Sequence, residues 1–276
     1  MFLSKSFMVR WTAVALFLTT TVSMTQAQNL ILDLNAGFSN SFASGSGNTW
    51  TDISDSGNNA IGVGYGDPSN AEDGWTGTSF TSGFNSGKHF SIPAFSGAEN
   101  HAGSIEIWFD LDGGNPGGTP QNLFDIVADG EGRLAVNDNK FEWRHKGCGG
   151  NSCIKEGSVV TGNVPQQVAL TSDGSTLSVY VDGALAGSNG NGDAWLGSAG
   201  GTDVTIIAGS GQIGINGDVY IARYYDAALS ANDVAQNYAA GLTGMGYVGA
   251  IPEPSTCLLL VMGIAALTLT RRKVVS

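Results

Sequence analysis

The stretch Gln167–Gly187 constrains the fold more than any other part of the chain. Apolar side chains occupy every second position on either side of the pair Asp173–Gly174, and a second turn pair, Asp182–Gly183, follows. A period of two between Asp-Gly turns is typical of antiparallel strands that have one apolar face. Such a meander has to pack on another sheet, so the stretch predicts an all-β, antiparallel two-sheet sandwich.

Other parts of the chain can supply the second sheet. The 41 glycines of the 276 residues, often paired with Asn, Ser or Asp, indicate many turns between short strands. The predicted strands are Leu30–Leu34, Ile61–Val63, Lys88–Ile92, Ser104–Phe109, Leu123–Val127, Arg133–Val136, Lys140–His145, Ser158–Thr161, Val204–Ala208 and Val219–Tyr224. A short helix follows, with Ser230 and Asp233 as a capping pair and Gly241 as its predicted end. One sandwich domain over residues 28–246 accounts for this pattern.

Charge is distributed unevenly along the chain. Between Asp33 and Glu253, 24 acidic residues face 7 basic ones, and the other basic residues lie in the terminal segments. An acidic domain repels phosphate backbones and anionic lipid headgroups, so we expect no nucleic-acid partner. An acidic surface suits either plain solubility outside the cell or the binding of calcium.

The first 27 residues are predicted to be an export signal. Lys5 and Arg10 precede the apolar run Trp11–Val22, and Thr25–Ala27 places small residues where a signal peptidase cuts. A retained anchor is the alternative, although the apolar run is short for a membrane span. The domain is therefore expected outside the cytoplasm.

Residues 247–276 form a tail with a second apolar run. Pro252, Glu253 and Pro254 precede the apolar stretch Cys257–Leu269, and Arg271–Lys273 closes it. The stretch is near the lower length limit for a transmembrane helix, and the basic cluster should remain cytoplasmic. An ordinary C-terminal anchor would have the same composition.

The order of these three features resembles the PEP-CTERM sorting signal of bacterial exported proteins. The resemblance covers Ile251–Ser276 and implies that an exosortase-type machinery handles the tail near Pro252, Glu253 and Pro254. It also implies delivery to the cell envelope, the cell surface or the extracellular matrix of a bacterium, with membrane attachment at least in transit.

The domain itself resembles the LamG-like, concanavalin A-like jelly rolls. The motifs that carry the resemblance are Trp50–Asp52 with Ser54–Asn59, Ser104–Phe109, Leu177–Gly183, and Gly217–Tyr225 followed by Ala228–Ser230, in the order that the family has them. One departure is Pro165–Ala169, where the family has Trp-His-x-Val-Ala. The resemblance implies a jelly roll with one short C-terminal helix.

Related jelly rolls include glycoside hydrolases, which place two carboxylates on one strand face. Alternation puts Glu106, Trp108 and Asp110 on one face of a predicted strand. Trp108, however, stands where the hydrolase pattern needs its middle acid, and packing explains that tryptophan better than catalysis. We therefore predict no catalytic residues, and a glycan-active hydrolase or lyase remains the alternative.

Jelly rolls of this family often carry calcium, so calcium is the cofactor that the resemblance implies. Asp52 in the early loop and Asp218 at the start of the last strand are the candidate ligands, with Asp33 and Asp55 as further choices. Capping of turns by aspartate is the alternative explanation for these residues.

Carbohydrate binding by aromatic stacking is a further expectation. Trp75, Trp143 and Trp195 lie near glycine-rich or polar stretches and are the candidate ligand-binding residues, with core packing as the alternative. Trp50 and Trp108 are better candidates for the core. The expected partner is an extracellular glycan.

Two of the three cysteines, Cys148 and Cys153, are close in sequence. In an exported chain this spacing predicts a disulfide, and the chain lacks the second pair that a zinc site would need. Taken together, the sequence predicts an exported, non-catalytic binding or adhesion module. The alternative functions are a glycan-active enzyme and a purely structural matrix protein.

Overall fold

The fold is described from a computed structural model of the chain. The residues described are 30–43, 47–65, 80–82, 88–95, 102–112, 120–126, 132–149, 152–159, 162, 164–192, 202–206 and 214–244.

Fifteen strands and one helix lie within these ranges. The first eight strands are β1 (Leu30–Asn35), β2 (Thr49–Trp50), β3 (Ala60–Val63), β4 (Phe80–Ser82), β5 (His89–Phe95), β6 (Gly103–Phe109), β7 (Gln121–Ile126) and β8 (Gly132–Asn137). The remaining elements are β9 (Lys140–Arg144), a 3-10 turn (Lys146–Cys148), β10 (Ser152–Glu156), β11 (Gln166–Ser172), β12 (Leu177–Val181), β13 (Ala184–Asn189), β14 (Thr202–Ile206), β15 (Gly217–Tyr225) and α1 (Ala231–Gly244).

The strands form two antiparallel sheets, which confirms the predicted sandwich. In the described residues the first sheet has the order β1-β15-β6-β11-β12-β13, with β4 also paired to β15, and the second has the order β10-β9-β8-β7-β14-β5-β3-β2. Neighbours such as β6 and β15 are far apart in sequence, so connections cross between the sheets as they do in a jelly roll.

The core lies between the inner faces of the two sheets. Phe95 and Phe124 of the second sheet contact Tyr224 of the first, and Phe109 of the first sheet packs edge-on against Phe141 of the second at 5.7 Å between ring centroids. These side chains are fully buried, so the aromatic contacts hold the sheets together.

The meander Gln167–Gly187 has the conformation that its sequence predicts. Strand β11 pairs with β12 around the Asp173–Gly174 turn, and β12 pairs with β13 around Asp182–Gly183. Asp182 and Gly183 both have positive φ, at 49° and 77°, which matches a two-residue hairpin turn of the I′ kind.

Helix α1 packs on the outer face of the first sheet. Its first turn carries the expected capping box, because Asp233 N donates to Ser230 Oγ (3.2 Å) and Ser230 N donates to Asp233 Oδ2 (3.0 Å). The predicted end at Gly241 is wrong, since the helix continues to Gly244. A Cβ at Gly241 would lie 2.4 Å from Trp108 Cζ2, so this glycine allows the helix to approach the indole.

One strand lies elsewhere than predicted. Of the strand expected at Ser158–Thr161, the described residues Ser158 and Val159 are not in a strand, and β10 begins six residues earlier, at Ser152, directly after the cysteine loop. The Cys148–Cys153 disulfide is confirmed, with 5.5 Å between the α carbons, and it joins the 3-10 turn after β9 to β10. It therefore fixes the edge of the second sheet.

The predicted export signal, the tail with Pro252, Glu253 and Pro254, and the transmembrane run all lie outside the described residues. Within the described part of the chain, no helix combines the length and the apolarity that a membrane span needs.

Candidate functional site

A row of side chains crosses the outer face of the second sheet. Its members are directly opposed neighbours, one from each strand, and we call them the cross-strand row: Thr49, Ile61, Ser91, Thr205, Asp125, Arg133, Arg144 and Ser152. Their sequence neighbours, such as Phe124 and Trp143, belong to the core, so alternation directs the row outward. Seven strand spacings make the row about 34 Å long.

A shorter second row lies beside it on the same face. Asn122 is opposite Ala135, which is opposite Glu142, which is opposite Lys155. A bulge between Asn122 and Phe124 inserts one residue into β7, and it brings Asn122 to the face that Asp125 occupies. Simple alternation would have put these two residues on opposite faces, which is why the sequence did not reveal Asn122.

Asn122 and Thr205 are buried polar residues with unmet hydrogen-bonding capacity. Asn122 is 0% and Thr205 is 3% exposed. Neither the amide of Asn122 nor the hydroxyl of Thr205 has a hydrogen-bond partner among the described residues. The two α carbons are diagonal neighbours, about 8 Å apart. Since an unsatisfied buried group costs about 1–3 kcal/mol, these groups favour a ligand or water that would satisfy them.

Two charged residues continue the row beside Thr205. Burial raises the pKa of Asp125 to about 6, although the neighbouring Arg133 acts in the opposite direction. Burial also lowers the pKa of Arg133, and the guanidinium of Arg144 directly opposite lowers it further. The centre of the face is thus dry enough to penalise charge.

The carboxylate of Glu142 differs from that of Asp125, because three side chains donate hydrogen bonds to it. The donors are Asn137 Nδ2, Arg144 Nε and Ser152 Oγ. Burial alone would raise the pKa of Glu142, but these hydrogen bonds outweigh it and lower the pKa overall. Ser152 precedes Cys153, so the disulfide lies next to this end of the cross-strand row.

The carboxylates considered for catalysis, Glu106 and Asp110, lie on the first sheet, and both of their oxygens accept hydrogen bonds. Glu106 is fully buried under α1, where Trp108 Nε1 (3.3 Å) and Gln167 Nε2 (2.7 Å) donate to Oε1. Tyr225 Oη (3.1 Å) and Asn237 Nδ2 (3.0 Å) donate to Oε2. Four donors leave Glu106 a structural role in attaching the helix to the sheet.

Asp110 is similarly engaged. Its Oδ1 accepts from Asp218 N at 3.0 Å and its Oδ2 accepts from Tyr220 Oη at 2.7 Å. The residue is buried at the end of β6, so it closes that end of the sheet.

The calcium candidates occupy separate places. Asp52 accepts hydrogen bonds from the backbone N–H groups of Asp33, Ser54 and Asn58, each at 2.9 Å, which is the turn-capping role. Asp33 pairs with Arg223 (2.9 Å), and Asp218 lies five residues earlier on β15, about 16 Å along the strand. The structure therefore does not bring Asp52 and Asp218 together.

The remaining calcium candidate is Asp55, which lies in the same early loop as Asp52. Asp55 is exposed and has a positive φ of 69°, as expected of a turn residue. No group of three or more His, Cys, Asp or Glu side chains with metal-site geometry occurs in the described ranges. Calcium binding stays a prediction.

The tryptophan candidates have different outcomes. Trp143 is fully buried in the core between the sheets, so it has no ring face for a sugar, and its predicted role in ligand binding is wrong. Trp75 and Trp195 lie outside the described residues. Trp50 and Trp108 are buried, as predicted.

Comparisons with known structures show the same architecture. Domain 4 of AbnA, a GH43 extracellular arabinanase from Geobacillus stearothermophilus solved in complex with arabinotriose, has a TM-score of 0.52 and 14% identity, over 76% of this chain and 98% of that one. The binding domain of botulinum neurotoxin DC in complex with SialylT has a TM-score of 0.54 and 14% identity, over 77% and 51%.

A Trypanosoma rangeli sialidase has a TM-score of 0.54 and 15% identity, over 76% of this chain and 32% of that one. The chain thus spans about half of the toxin domain and a third of the sialidase. At such identities the likeness concerns the fold.

Sequence comparison gives the family. No curated protein matches the chain over its sequence. Residues 84–235, more than half of the chain, match the family described as the concanavalin A-like lectin/glucanases superfamily. This match includes β6, the central meander and β15, which together with β1 and β4 form the first sheet. The chain belongs to the concanavalin A-like lectin/glucanase superfamily.

Proposed function

We propose that this protein is an exported, non-catalytic binding or adhesion module that holds carbohydrate on the outer face of its second sheet. The observation that carries the proposal is the pair Asn122 and Thr205, buried beside Asp125 without partners among the described residues. An amide, a hydroxyl and a carboxyl offer the donors and acceptors that sugar hydroxyls require. The arabinotriose and SialylT complexes of similar folds support the ligand class.

The test is a glycan array with the full-length protein and its Thr205→Val variant, with and without calcium. Valine has nearly the shape of threonine but lacks the hydroxyl. If the Thr205 hydroxyl gains a hydrogen-bond partner only when a ligand binds, its removal should leave the free energy of unfolding unchanged or raise it. Ligand affinity should fall about fivefold.

Thr171→Val is the matched control, because Thr171 is 5% exposed on a strand of the first sheet. It should leave glycan affinity unchanged. Failure of every glycan to bind, with or without calcium, would refute the proposal. Equal glycan affinities of wild type and Thr205→Val would show that the ligand binds elsewhere than on this face.

A glycan hydrolase is the second candidate, because Asp125 and Glu142 share the face and have oppositely shifted pKa values. Their α carbons lie about 12 Å apart, judged from two strand spacings and two residues along the strand. The three donors on Glu142 make it a poor base or nucleophile, which favours the binding role. Release of reducing ends by wild type but not by Asp125→Asn would establish the enzyme instead.

The address of the module rests on the sequence. We propose that residues 1–27 export the chain and that an exosortase-type machinery recognises Pro252, Glu253 and Pro254, delivering the domain to the cell surface or matrix. The excess of acidic residues between Asp33 and Glu253 supports an extracellular location, where it keeps the domain soluble.

A further inference from the structure

We propose that Asn189 is a site of spontaneous covalent modification, at which loss of the side-chain amide weakens the contact between the two sheet edges beside the disulfide. The residue ends β13, the edge strand of the first sheet among the described residues, and the modification involves no ligand. Asn189 and Gly190 form one of three Asn-Gly pairs in the sequence, and the others are Asn191–Gly192 and Asn216–Gly217.

An Asn-Gly pair can react without an enzyme. The backbone nitrogen of the glycine attacks the side-chain carbonyl carbon of the asparagine, and a five-membered imide forms. The side-chain nitrogen leaves as ammonia and takes the proton of the glycine N–H with it. Water then opens the ring at either of its two carbonyl groups, which leaves aspartate or isoaspartate. Glycine favours the attack because it has no Cβ and because its backbone adopts many conformations.

The backbone N–H of Gly190 is available for this attack. Gly190 is exposed, its N–H donates to no group among the described residues, and no atom lies within 4 Å of the position that a Cβ would take. The side-chain oxygen of Asn189 accepts a hydrogen bond from Asn191 N at 3.0 Å. This donor would stabilise the negative charge that develops on the oxygen during the attack.

The other two pairs are restrained by the fold. Gly192 is buried, and its N–H donates to Ser175 O at 3.0 Å. A Cβ on Gly192 would lie 2.4 Å from the carbonyl carbon of Ser175, so two backbone segments are closely packed there. Gly217 is also buried, at the first position of β15, where it pairs with Ser82 of β4. Attack at either pair therefore requires the backbone to open first, whereas attack at Asn189 does not.

The amide of Asn189 connects the edges of the two sheets. Its Nδ2 donates to Cys153 O at 2.6 Å, and Asn191 Nδ2 donates to the same oxygen at 2.8 Å. Cys153 lies on β10 and is bonded to Cys148, so the two amides attach the end of β13 to the disulfide. A carboxylate at position 189 has no N–H to donate and would be repelled by the carbonyl oxygen.

The experiment follows the three pairs in the full-length folded protein during incubation at neutral and at mildly alkaline pH. Peptide mapping by mass spectrometry detects replacement of NH₂ by OH, and fragmentation separates positions 189, 191 and 216. Asn189 should react about tenfold or more faster than the other two, because their glycines must first lose hydrogen bonds or burial. The difference should disappear in urea, where the backbone restraints are absent.

Gly190→Ala is the variant that tests the attacking nitrogen. The added methyl group crowds this nitrogen, so modification of Asn189 should slow several-fold, while the open space around Gly190 leaves folding unchanged. The assignment is overturned if Asn189 does not react, if Asn191 or Asn216 reacts first, or if all three react equally in the folded protein.

Asn189→Asp tests the consequence for the sheet edges. The variant has one of the two reaction products at this position, and its equilibrium constant for unfolding should rise about tenfold. Ser188→Asp is the matched control, because Ser188 is an exposed neighbour on β13 and adds the same charge without the contact to Cys153 O. If both variants unfold alike, the proposed weakening of the edge contact is wrong, even where Asn189 is modified first.

Discussion

The substitution Glu106→Gln tests whether the buried carboxylate under α1 is structural. Trp108 and Gln167 donate to one carboxylate oxygen, and Tyr225 and Asn237 donate to the other. Glutamine keeps the size of the side chain but replaces one oxygen with a donor NH₂ group. Whichever way the amide of the new glutamine is turned, two of these four donors face its NH₂ group, which cannot accept their hydrogen bonds.

The expected cost follows from these contacts. Hydrogen bonds to a charged group contribute about 1.5–3 kcal/mol each, and two of them are lost. Rotation of the Tyr225 hydroxyl to accept from the new NH₂ would recover part, so we expect a loss of about 3–5 kcal/mol in the free energy of unfolding. For a domain of this size the melting temperature would fall by roughly 10 °C.

The assay is urea unfolding followed by tryptophan fluorescence, with Tyr225→Phe as the control. That variant removes one donor and leaves the carboxylate three, so it should cost about 1.5–3 kcal/mol, less than Glu106→Gln. The reasoning is refuted if Glu106→Gln unfolds within 1 kcal/mol of wild type. Glycan affinity of the folded variant should be unchanged, because Glu106 lies on the first sheet.

Three further perturbations address other parts of the sandwich. Asp125 has a pKa of about 6 in the folded protein, above the value near 3.9 expected of the unfolded chain. The folded state therefore holds this proton more tightly, and wild type should lose about 1–2 kcal/mol of stability as the pH rises from 4 to 6, after allowance for partial exposure. Asp125→Asn should flatten this pH dependence in urea unfolding. Gly132→Ala would place a Cβ 2.4 Å from the indole of the β9 tryptophan and should cost about 1–3 kcal/mol in the same assay, whereas Gly190→Ala, with no atom within 4 Å, should be nearly neutral. Replacing Cys148 and Cys153 by serine opens a ring of few residues and should lower the free energy of unfolding by about 2 kcal/mol; an unchanged value would mean that the bond does not constrain the unfolded chain.

Patterns read over short distances predicted much of the fold. The alternation in Gln167–Gly187 specified three strands and their apolar face, and its Asp-Gly pairs specified the turns. Ser230 and Asp233 specified the start of α1. These signals are local, since alternation, turn chemistry and capping each depend on a few consecutive residues.

The sequence was less informative where packing across the sandwich decides. Trp143 follows polar and charged neighbours, which suggested exposure, but its place on β9 directs it into the core. Gly241 suggested a helix end, but the approach of α1 to Trp108 requires a glycine at that point. Neither outcome can be derived from neighbours in sequence, because the contacting residues are distant along the chain.

By itself, then, the amino-acid order determined a two-layer antiparallel body, its helix start and its disulfide. Only the tertiary structure decided which polar side chains meet on the outer face of the second sheet. A bulge in β7 turns Asn122 to the side of Asp125, and strand register adds Thr205 from a segment some 80 residues later in the chain. Register and bulges are set by pairing between distant strands, and that pairing leaves no mark on the local pattern.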